Sequence, residues 1–225
     1  MNSIAVVAAH PDDEILGCGG TIAAHVHRGD TVSVLILAQG IASRDGDQVS
    51  EQQEELYQAA RRANDVVGTG RLEFGAFPDN RMDSVDLLDV VRRVEAFFAE
   101  VKPDCVYTHY PNDLNVDHRI VSQAVLTAGR PLPGVQTTTI LFFETPSSTE
   151  WSCIPMGGGF SPNWFTDISE TLDVKLQALQ AYAMEMRPFP HARSMEAVRH
   201  LAHWRGASAG LAAAEAFMLA RHLCK

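Results

Sequence analysis

Near its start the chain reads IAVVAAHPDDE over residues 4–14, and this stretch decides the fold. Six apolar residues, typical of a buried strand, run directly into a histidine, a proline and three acidic residues. Glycines follow at Gly17, Gly19 and Gly20, in the first turns of an expected helix. The pattern predicts a buried strand that turns into a helix, with an imidazole and carboxylates on the connecting loop.

The rest of the chain repeats this alternation. β-Branched apolar runs predict strands near residues 3–9, 31–38, 71–77, 104–109 and 138–143. Helical periodicity predicts helices near residues 15–28, 51–67, 84–101, 117–129, 170–186 and 193–205. This order is typical of an α/β fold with a mostly parallel central sheet and helices on both faces. No linker interrupts it, so we expect one domain over residues 1–225.

Composition narrows the class of protein. A net charge of −10 over 225 residues disfavours a general role on nucleic acid or anionic membranes. The apolar runs are too short for membrane insertion, and the first lacks the basic leader of a secretory signal. Four cysteines lie far apart, which is typical of reduced thiols in a cytoplasmic protein: Cys18, Cys105, Cys153 and Cys224. The sequence leaves a homo-oligomer possible.

A second polar cluster, NDLNVDHR at residues 112–119, follows the fourth predicted strand. In a doubly wound sheet of strand order 3-2-1-4-5, the winding reverses between strands 1 and 4, and ligands bind at the carboxyl ends there. Right-handed crossovers bring the loops after these two strands to the same edge. We therefore expect His10 and Asp13 to meet His118 in one metal site.

Two imidazoles and one carboxylate form the donor set of a catalytic zinc site. Such a site keeps one position for water and lowers the pKa of that water to about 7. Asp12 is the candidate general base, which takes the proton of the water and returns it to a leaving amine. Spacing alone does not say which of Asp12 and Asp13 is the ligand and which is the base. Iron, manganese or cobalt also suit these donors.

Simpler interpretations remain open for each cluster alone. Asp12 or Asp13 could cap the following helix, and Asp117 could cap the helix that carries His118. A nucleotide-binding Rossmann module is a further alternative, but its glycine pattern would need a third glycine where the chain has Ile22. A non-catalytic metal protein would need a fourth ligand. The joint placement of both clusters at the reversal point favours a catalytic metal centre.

The two clusters, AHPDDE (residues 9–14) and NDLNVDHR (residues 112–119), resemble those of the LmbE-like or PIG-L family of zinc-dependent N-acetylglucosamine deacetylases. Weaker similarity lies at residues 78–81 and 213–217. The resemblance implies a Rossmann-like, LmbE-like deacetylase fold and a hydrolase that removes an N-acetyl group from a small amino-sugar substrate. It assigns the binding of Zn²⁺ to His10, Asp13 and His118. It assigns general base and acid catalysis to Asp12, and it makes Asp117 the residue that orients a ligand imidazole.

One position departs from the family pattern. Many members carry a histidine three residues before the last zinc ligand, where this chain has Asn115. We expect the amide of Asn115, or His191 in the proline-rich stretch 188–191, to stabilise the oxyanion. The resemblance also suggests Arg44 as a substrate-binding residue, while Asp113 is expected either to contact substrate at the rim or to form a turn. An amidase acting on a larger sugar amide, such as a thiol-sugar conjugate, is the alternative function for the same site.

Overall fold

A computed structural model describes residues 1–39, 49–152 and 158–224. The strands in these residues are β1 (Ser3–Ala8), β2 (Thr31–Ala38), β3 (Arg71–Phe77), β4 (Cys105–His109), β5 (Thr139–Phe143), β6 (Trp164–Asp167) and β7 (Ala214–His222). The helices are α1 (Asp13–His27), α2 (Val49–Val67), α3 (Leu87–Val101), α4 (Val116–Ala128), α5 (Leu172–Gln180) and α6 (Met195–Ala209). Single 3₁₀ turns lie at Met82–Ser84 and Thr149–Trp151.

The strands form one sheet in the order β3-β2-β1-β4-β5-β7-β6. Strands β1 to β5 pair in parallel, whereas β7 runs antiparallel to both β5 and β6. Strand β1 lies between β2 and β4, and its residue Val6 is paired with Val34 of β2 and with Tyr107 of β4. The predicted α/β class, the mostly parallel sheet and the order 3-2-1-4-5 are confirmed.

Both faces of β1 are buried, as its continuous apolar sequence predicts. Successive residues of β1 alternate between the two faces: Ile4 and Val6 belong to one core cluster, and Ala5 and Val7 belong to the other. The first cluster includes residues of α1, α2, α5 and α6, namely Ile15, Leu56, Leu176 and Val198. The second includes residues of α3 and α4, namely Val91 and Val121. Helices therefore cover both faces of the sheet.

The sequence patterns predict neither β6 nor β7. Strand β7 reads AEAFMLARH and contains no valine, isoleucine or threonine, so its composition does not favour a strand. It becomes one because it pairs with β5 on one side and with β6 on the other. Tertiary pairing thus overrides local preference, and the sheet gains an antiparallel edge.

Helix α1 is broken at Cys18, whose φ of −148° and ψ of 23° are not helical. Glycines surround the break because the helix packs closely on its neighbours. A Cβ atom at Gly20 would lie 2.9 Å from the side chain of Ile168, and one at Gly17 would overlap the ring of Phe143. These glycines serve helix packing, which agrees with the absence of a phosphate-binding pattern in the sequence.

A buried ion pair binds the backbone groups beside this break. Glu215 accepts the N–H groups of Gly20 and Thr21 at 3.1 and 2.7 Å, and Lys175 Nζ donates to the Leu16 carbonyl at 2.8 Å. Lys175 Nζ lies 2.6 Å from Glu215 Oε1, and both side chains are buried. The acidic residue in the stretch 213–217 therefore fixes the helix that carries Asp13 at its start.

We predict that Lys175→Met lowers the free energy of unfolding by about 3–5 kcal/mol, because the Glu215 charge would stay buried without its partner. Denaturant unfolding followed by circular dichroism measures this change. The matched control is Arg199→Met, which removes an exposed pair with Asp173 and should cost less than about 1 kcal/mol. Equal losses in the two variants would contradict this account of the buried pair.

Candidate active site

The loops that follow β1 and β4 meet at the carboxyl edge of the sheet. His10 and Asp13 lie where β1 turns into α1, His109 ends β4, and His118 lies in the first turn of α4. Strands β1 and β4 are neighbours at the point where the winding reverses. The structure therefore brings together the two clusters in the place that the topology predicts.

Three side chains present their donor atoms to one another. His10 Nδ1 lies 3.1 Å from Asp13 Oδ2, and His118 Nε2 lies 3.2 Å from the same oxygen. The two ring nitrogens are 3.3 Å apart. Two imidazole nitrogens and a carboxylate thus converge, and this group could hold a metal ion.

The second oxygen of Asp13 strengthens this fit. Asp13 is 1% exposed, and its Oδ1 atom is buried without a hydrogen-bond partner among the described residues. A buried, unpaired polar atom costs on the order of 1–3 kcal/mol, and more when it is charged. A divalent cation would satisfy it, so the residues present fit a metal centre held by His10, Asp13 and His118.

Two further carboxylates hold the outer nitrogens of the imidazoles. Asp117 Oδ2 lies 3.0 Å from His10 Nε2, and Asp113 Oδ1 lies 3.0 Å from His118 Nδ1. Both carboxylates belong to buried residues. Each imidazole therefore has a carboxylate at its outer nitrogen, which orients the ring so that the inner nitrogen, His10 Nδ1 or His118 Nε2, faces Asp13 and would bind a metal in exchange for its proton.

The pKa values of His10 and Asp13 depend both on burial and on the neighbouring charged groups. Burial disfavours the charged form of His10, but hydrogen bonds with Asp117 and Asp13 raise its pKa to about 10. Burial opposes ionisation of Asp13 as well, yet the charge of His118 and the hydrogen bonds with His10 and His118 hold its pKa well below the ordinary value. Asp13 is thus a carboxylate under all ordinary conditions, as a metal ligand must be.

Asp12 has a strained backbone, and its side chain has a different partner from that of Asp13. Its φ is 112°, in a region that residues with a side chain rarely adopt. Glu14 holds this conformation, because its Oε2 atom accepts the N–H of Asp12 at 3.1 Å. Its Oε1 atom accepts from Tyr182 Oη at 2.6 Å and from Asn64 Nδ2 at 2.9 Å, so Glu14 is itself fixed. The two neighbouring aspartates therefore have different surroundings.

Arg193 is the partner of Asp12 that the sequence analysis misses. Its Nη1 atom donates to Asp12 Oδ2 at 2.9 Å. Burial raises the pKa of Asp12 to about 8, although the Arg193 charge opposes the shift. Arg193 lies two residues after His191, in a segment marked by Pro188 and Pro190, which was the available signal.

His109 is a second residue that the sequence analysis misses. Its ring stacks on that of His118, with centroids 3.9 Å apart, and its Nε2 atom lies 3.5 Å from Asp13 Oδ2. The same nitrogen accepts the N–H of Ala9 at 2.9 Å, so it is not protonated. Burial and the neighbouring His118 hold the pKa of His109 well below its ordinary value. The sequence signal for His109 was its position, at the carboxyl end of a buried strand beside the point where the winding of the sheet reverses.

Two expected oxyanion residues have other contacts in the structure. Asn115 caps α4, because its Oδ1 atom accepts the N–H of Asp117 at 2.8 Å, and its Nδ2 atom donates to Asn80 at 2.9 Å. His191 Nδ1 accepts the N–H of Arg193 at 3.0 Å, and its ring packs edge-on against Trp151. The contacts described for both residues are structural ones.

Of the two expected substrate contacts, Asp113 matches its alternative prediction as a turn residue, and Arg44 lies outside the described residues. Asp113 is fully buried, its Oδ1 atom accepts the N–H of Asn115 at 2.9 Å, and its carboxylate binds His118, Ser148 and Thr149 instead of lying at the rim. Arg44 belongs to residues 40–48, which the structure does not describe.

Fold and site together define an α/β protein with a buried His/Asp group, able to hold a metal ion, at the switch point of its sheet. The family model described as GlcNAc-PI de-N-acetylase, PIG-L, matches residues 5–129. This span contains most of β1, all of β2 to β4 and both polar clusters. The chain belongs to the PIG-L family, which confirms the family expected from the sequence.

Curated relatives agree with this assignment. The chain is 30% identical to a protein named uncharacterized deacetylase YaiS of Escherichia coli K12, over 80% of this chain and 89% of the relative. It is 28% identical to a probable N-acetyl-α-D-glucosaminyl L-malate deacetylase 2 of Bacillus cereus, over 80% of this chain and 81% of the relative.

The fold also occurs in a protein with a different reaction. The crystal structure of GalB, the 4-carboxy-2-hydroxymuconate hydratase of Pseudomonas putida KT2440, superposes with a TM-score of 0.79 at 23% identity, over 100% of this chain and 98% of that one. Likeness at this level shows the fold alone. Within the described part of the chain, every helix is too short or too polar to cross a membrane.

We predict that Asp117→Asn weakens metal binding about 10- to 100-fold. Asp117 accepts from both His10 Nε2 and the N–H of Met82 (2.9 Å), and an amide has only one oxygen for these two donors. Titration of the folded variant with Zn²⁺ against a competing chelator measures the affinity.

The control is Asp79→Asn. Asp79 Oδ1 lies 3.4 Å from the same His10 nitrogen but makes no hydrogen bond with it, so a smaller change is expected. Unaltered affinity in a folded Asp117→Asn protein would show that His10 needs no such support.

Proposed function

We propose that this protein is a metal-dependent N-deacetylase, which hydrolyses the acetamide of a small N-acetylglucosamine-type sugar. The observation that carries the proposal is the convergence of His10, Asp13 and His118 beside the separately held carboxylate of Asp12. Membership of the PIG-L family and the deacetylase names of its relatives support the same reaction.

For the metal we propose zinc, bound by His10, Asp13 and His118. Two imidazole nitrogens and a carboxylate suit zinc, although iron, manganese and cobalt accept the same donors. When bound, such an ion polarises a carbonyl oxygen and lowers the pKa of water. Asp117 and Asp113 orient the two rings so that their inner nitrogens face that position, and metal binding would displace the protons there.

Asp12 is proposed as the general base and acid. In this role it takes a proton from the attacking water while the water oxygen bonds to the amide carbon. It then delivers that proton to the amine nitrogen as the carbon–nitrogen bond breaks, so that acetate and a free amino sugar result. Burial of Asp12 raises its proton affinity, which favours holding the transferred proton until the amine takes it, and Arg193 holds Oδ2 in one orientation.

Contacts to the oxyanion and to the sugar remain proposals. Asn115 Nδ2 carries a second N–H besides the one directed at Asn80, and His191 has its Nε2 atom on the side away from Arg193. Either group could donate to the developing negative charge. Arg44 stays a candidate for binding the sugar.

We propose a cytoplasmic location and one functional domain over residues 1–225. The described cysteines support a reducing compartment, since Cys18, Cys105 and Cys224 are free thiols. A homo-oligomer stays a prediction.

The test is release of free amine from a panel of N-acetylglucosamine derivatives by metal-loaded and chelated protein. The panel includes free, phosphorylated and glycosidically linked sugars, with larger acyl groups as a separate arm. Amine release that stops on chelation and returns with Zn²⁺ is expected. Folded, metal-loaded protein that releases amine only from larger acyl groups would favour the amidase, and release from no member would overturn both.

We predict that Asp12→Asn keeps the metal but lowers turnover by about 10²- to 10⁴-fold, because an amide cannot take the proton of the water. Metal content by elemental analysis and initial rates of amine release measure the two effects. Asp173→Asn, at an exposed surface position, is the control and should change neither. Ordinary turnover in Asp12→Asn would remove Asp12 from the base role.

A further inference from the structure

The turn after β5 carries three consecutive hydroxyl side chains: Ser147, Ser148 and Thr149. We refer to these three residues as the hydroxyl turn. Ser148 and Thr149 are about 5–6% exposed, and Ser147 has a left-handed backbone with φ of 67°. Neither the family match, which ends at residue 129, nor the proposed mechanism uses these residues.

Two of these hydroxyls bind the carboxylate that orients a metal ligand. Thr149 Oγ1 donates to Asp113 Oδ2 at 2.5 Å, and Ser148 Oγ donates to Asp113 Oδ1. The same Oδ1 atom accepts from His118 Nδ1 at 3.0 Å and from the Asn115 backbone at 2.9 Å. The turn thus holds the Asp113 carboxylate in place beside His118.

The remaining hydroxyl binds the partner of the candidate base. Ser147 Oγ accepts from Arg193 Nε at 3.0 Å, while Arg193 Nη1 donates to Asp12 Oδ2 at 2.9 Å. Glu150 accepts the N–H of Ser147 at 2.7 Å, which fixes the turn in this conformation. One guanidinium is therefore held between the hydroxyl turn and Asp12.

We infer that the hydroxyl turn is a positioning element that supports two functions through different partners. Ser148 and Thr149 set the metal affinity through Asp113 and His118, and Ser147 sets the orientation of Asp12 through Arg193. None of the three touches a reacting atom. The inference about Ser147 rests on the proposed function, whereas the inference about Ser148 and Thr149 rests on the metal site alone.

The geometry predicts that substitutions in the hydroxyl turn affect two different quantities, metal affinity and turnover. Ser148→Ala and Thr149→Val should each weaken Zn²⁺ binding about tenfold, the lower end of the range for residues that orient ligands. Ser147→Ala should leave Zn²⁺ binding unchanged. With saturating Zn²⁺, Ser147→Ala should lower kcat about tenfold with little change in KM, which is the effect of losing one hydrogen bond to a charged group.

Two matched variants separate positioning from general loosening of the turn. Thr149 also accepts the N–H of Thr145 at 2.8 Å, so Thr149→Val removes a support of the backbone, whereas Thr149→Ser keeps both hydrogen bonds and should restore the affinity. Ser152→Ala removes a nearby hydroxyl that donates to the Asn112 carbonyl at 2.5 Å, and it should leave the metal affinity unchanged.

The experiment is a Zn²⁺ titration against a competing chelator for all variants, after circular dichroism has shown that each is folded. Equal weakening in Ser152→Ala, or unchanged affinity in both Ser148→Ala and Thr149→Val, would overturn the metal branch. Reduced affinity in Ser147→Ala would overturn the division of roles. The titration needs no substrate, so it decides the metal branch even if the wild-type protein releases no amine.

Discussion

The carboxylate of Asp13 is buried at the end of β1, and three imidazoles crowd around it. His10 and His118 lie within hydrogen-bond distance of Oδ2, His109 lies 3.5 Å away, and Oδ1 has no partner among the described residues. A buried anion is tolerated only when other groups compensate it. Much of the surrounding structure provides that compensation, because His10 and His118 come from the segments after β1 and β4, and further buried carboxylates hold the outer nitrogens of both.

Neighbouring aspartates acquire opposite properties from this arrangement. Both are almost fully buried, so burial alone would raise the pKa of each. Imidazoles hold the pKa of Asp13 well below the ordinary value, whereas Asp12 has one arginine, and its pKa rises to about 8. The backbone of Asp12 is strained, and the side chains of Asp12 and Asp13 lie in different surroundings. Glu14 stabilises this conformation because its carboxylate accepts the N–H of Asp12. A pair of acids with separated proton affinities is what ligand and base require.

The sequence predicts the part of this site that depends on chain order. His10, Asp13 and His118 follow from two polar clusters after strands 1 and 4, since parallel topology brings such loops together. Strand β7 is not predicted because its composition does not favour a strand. Arg193 and the hydroxyl turn escape it because they reach the site from distant loops, and no periodicity fixes where such loops pack. The burial of Asp113 likewise depends on those loops.

The residues that form and support the site come from two parts of the chain: the sheet with its helices, and the connections after β5. This division bears on how one fold can host several reactions. Asp117 lies in the same helix as His118, and His10 and Asp13 lie at the junction of β1 and α1, so the sheet and its helices define the metal site. Arg193 and the hydroxyl turn, which hold Asp12 and Asp113, come from connections beyond β5. Substitutions in those connections can alter proton transfer while the strands stay unchanged. A hydratase with the same fold is consistent with such a division, because loops on a rigid scaffold are where reactions diverge.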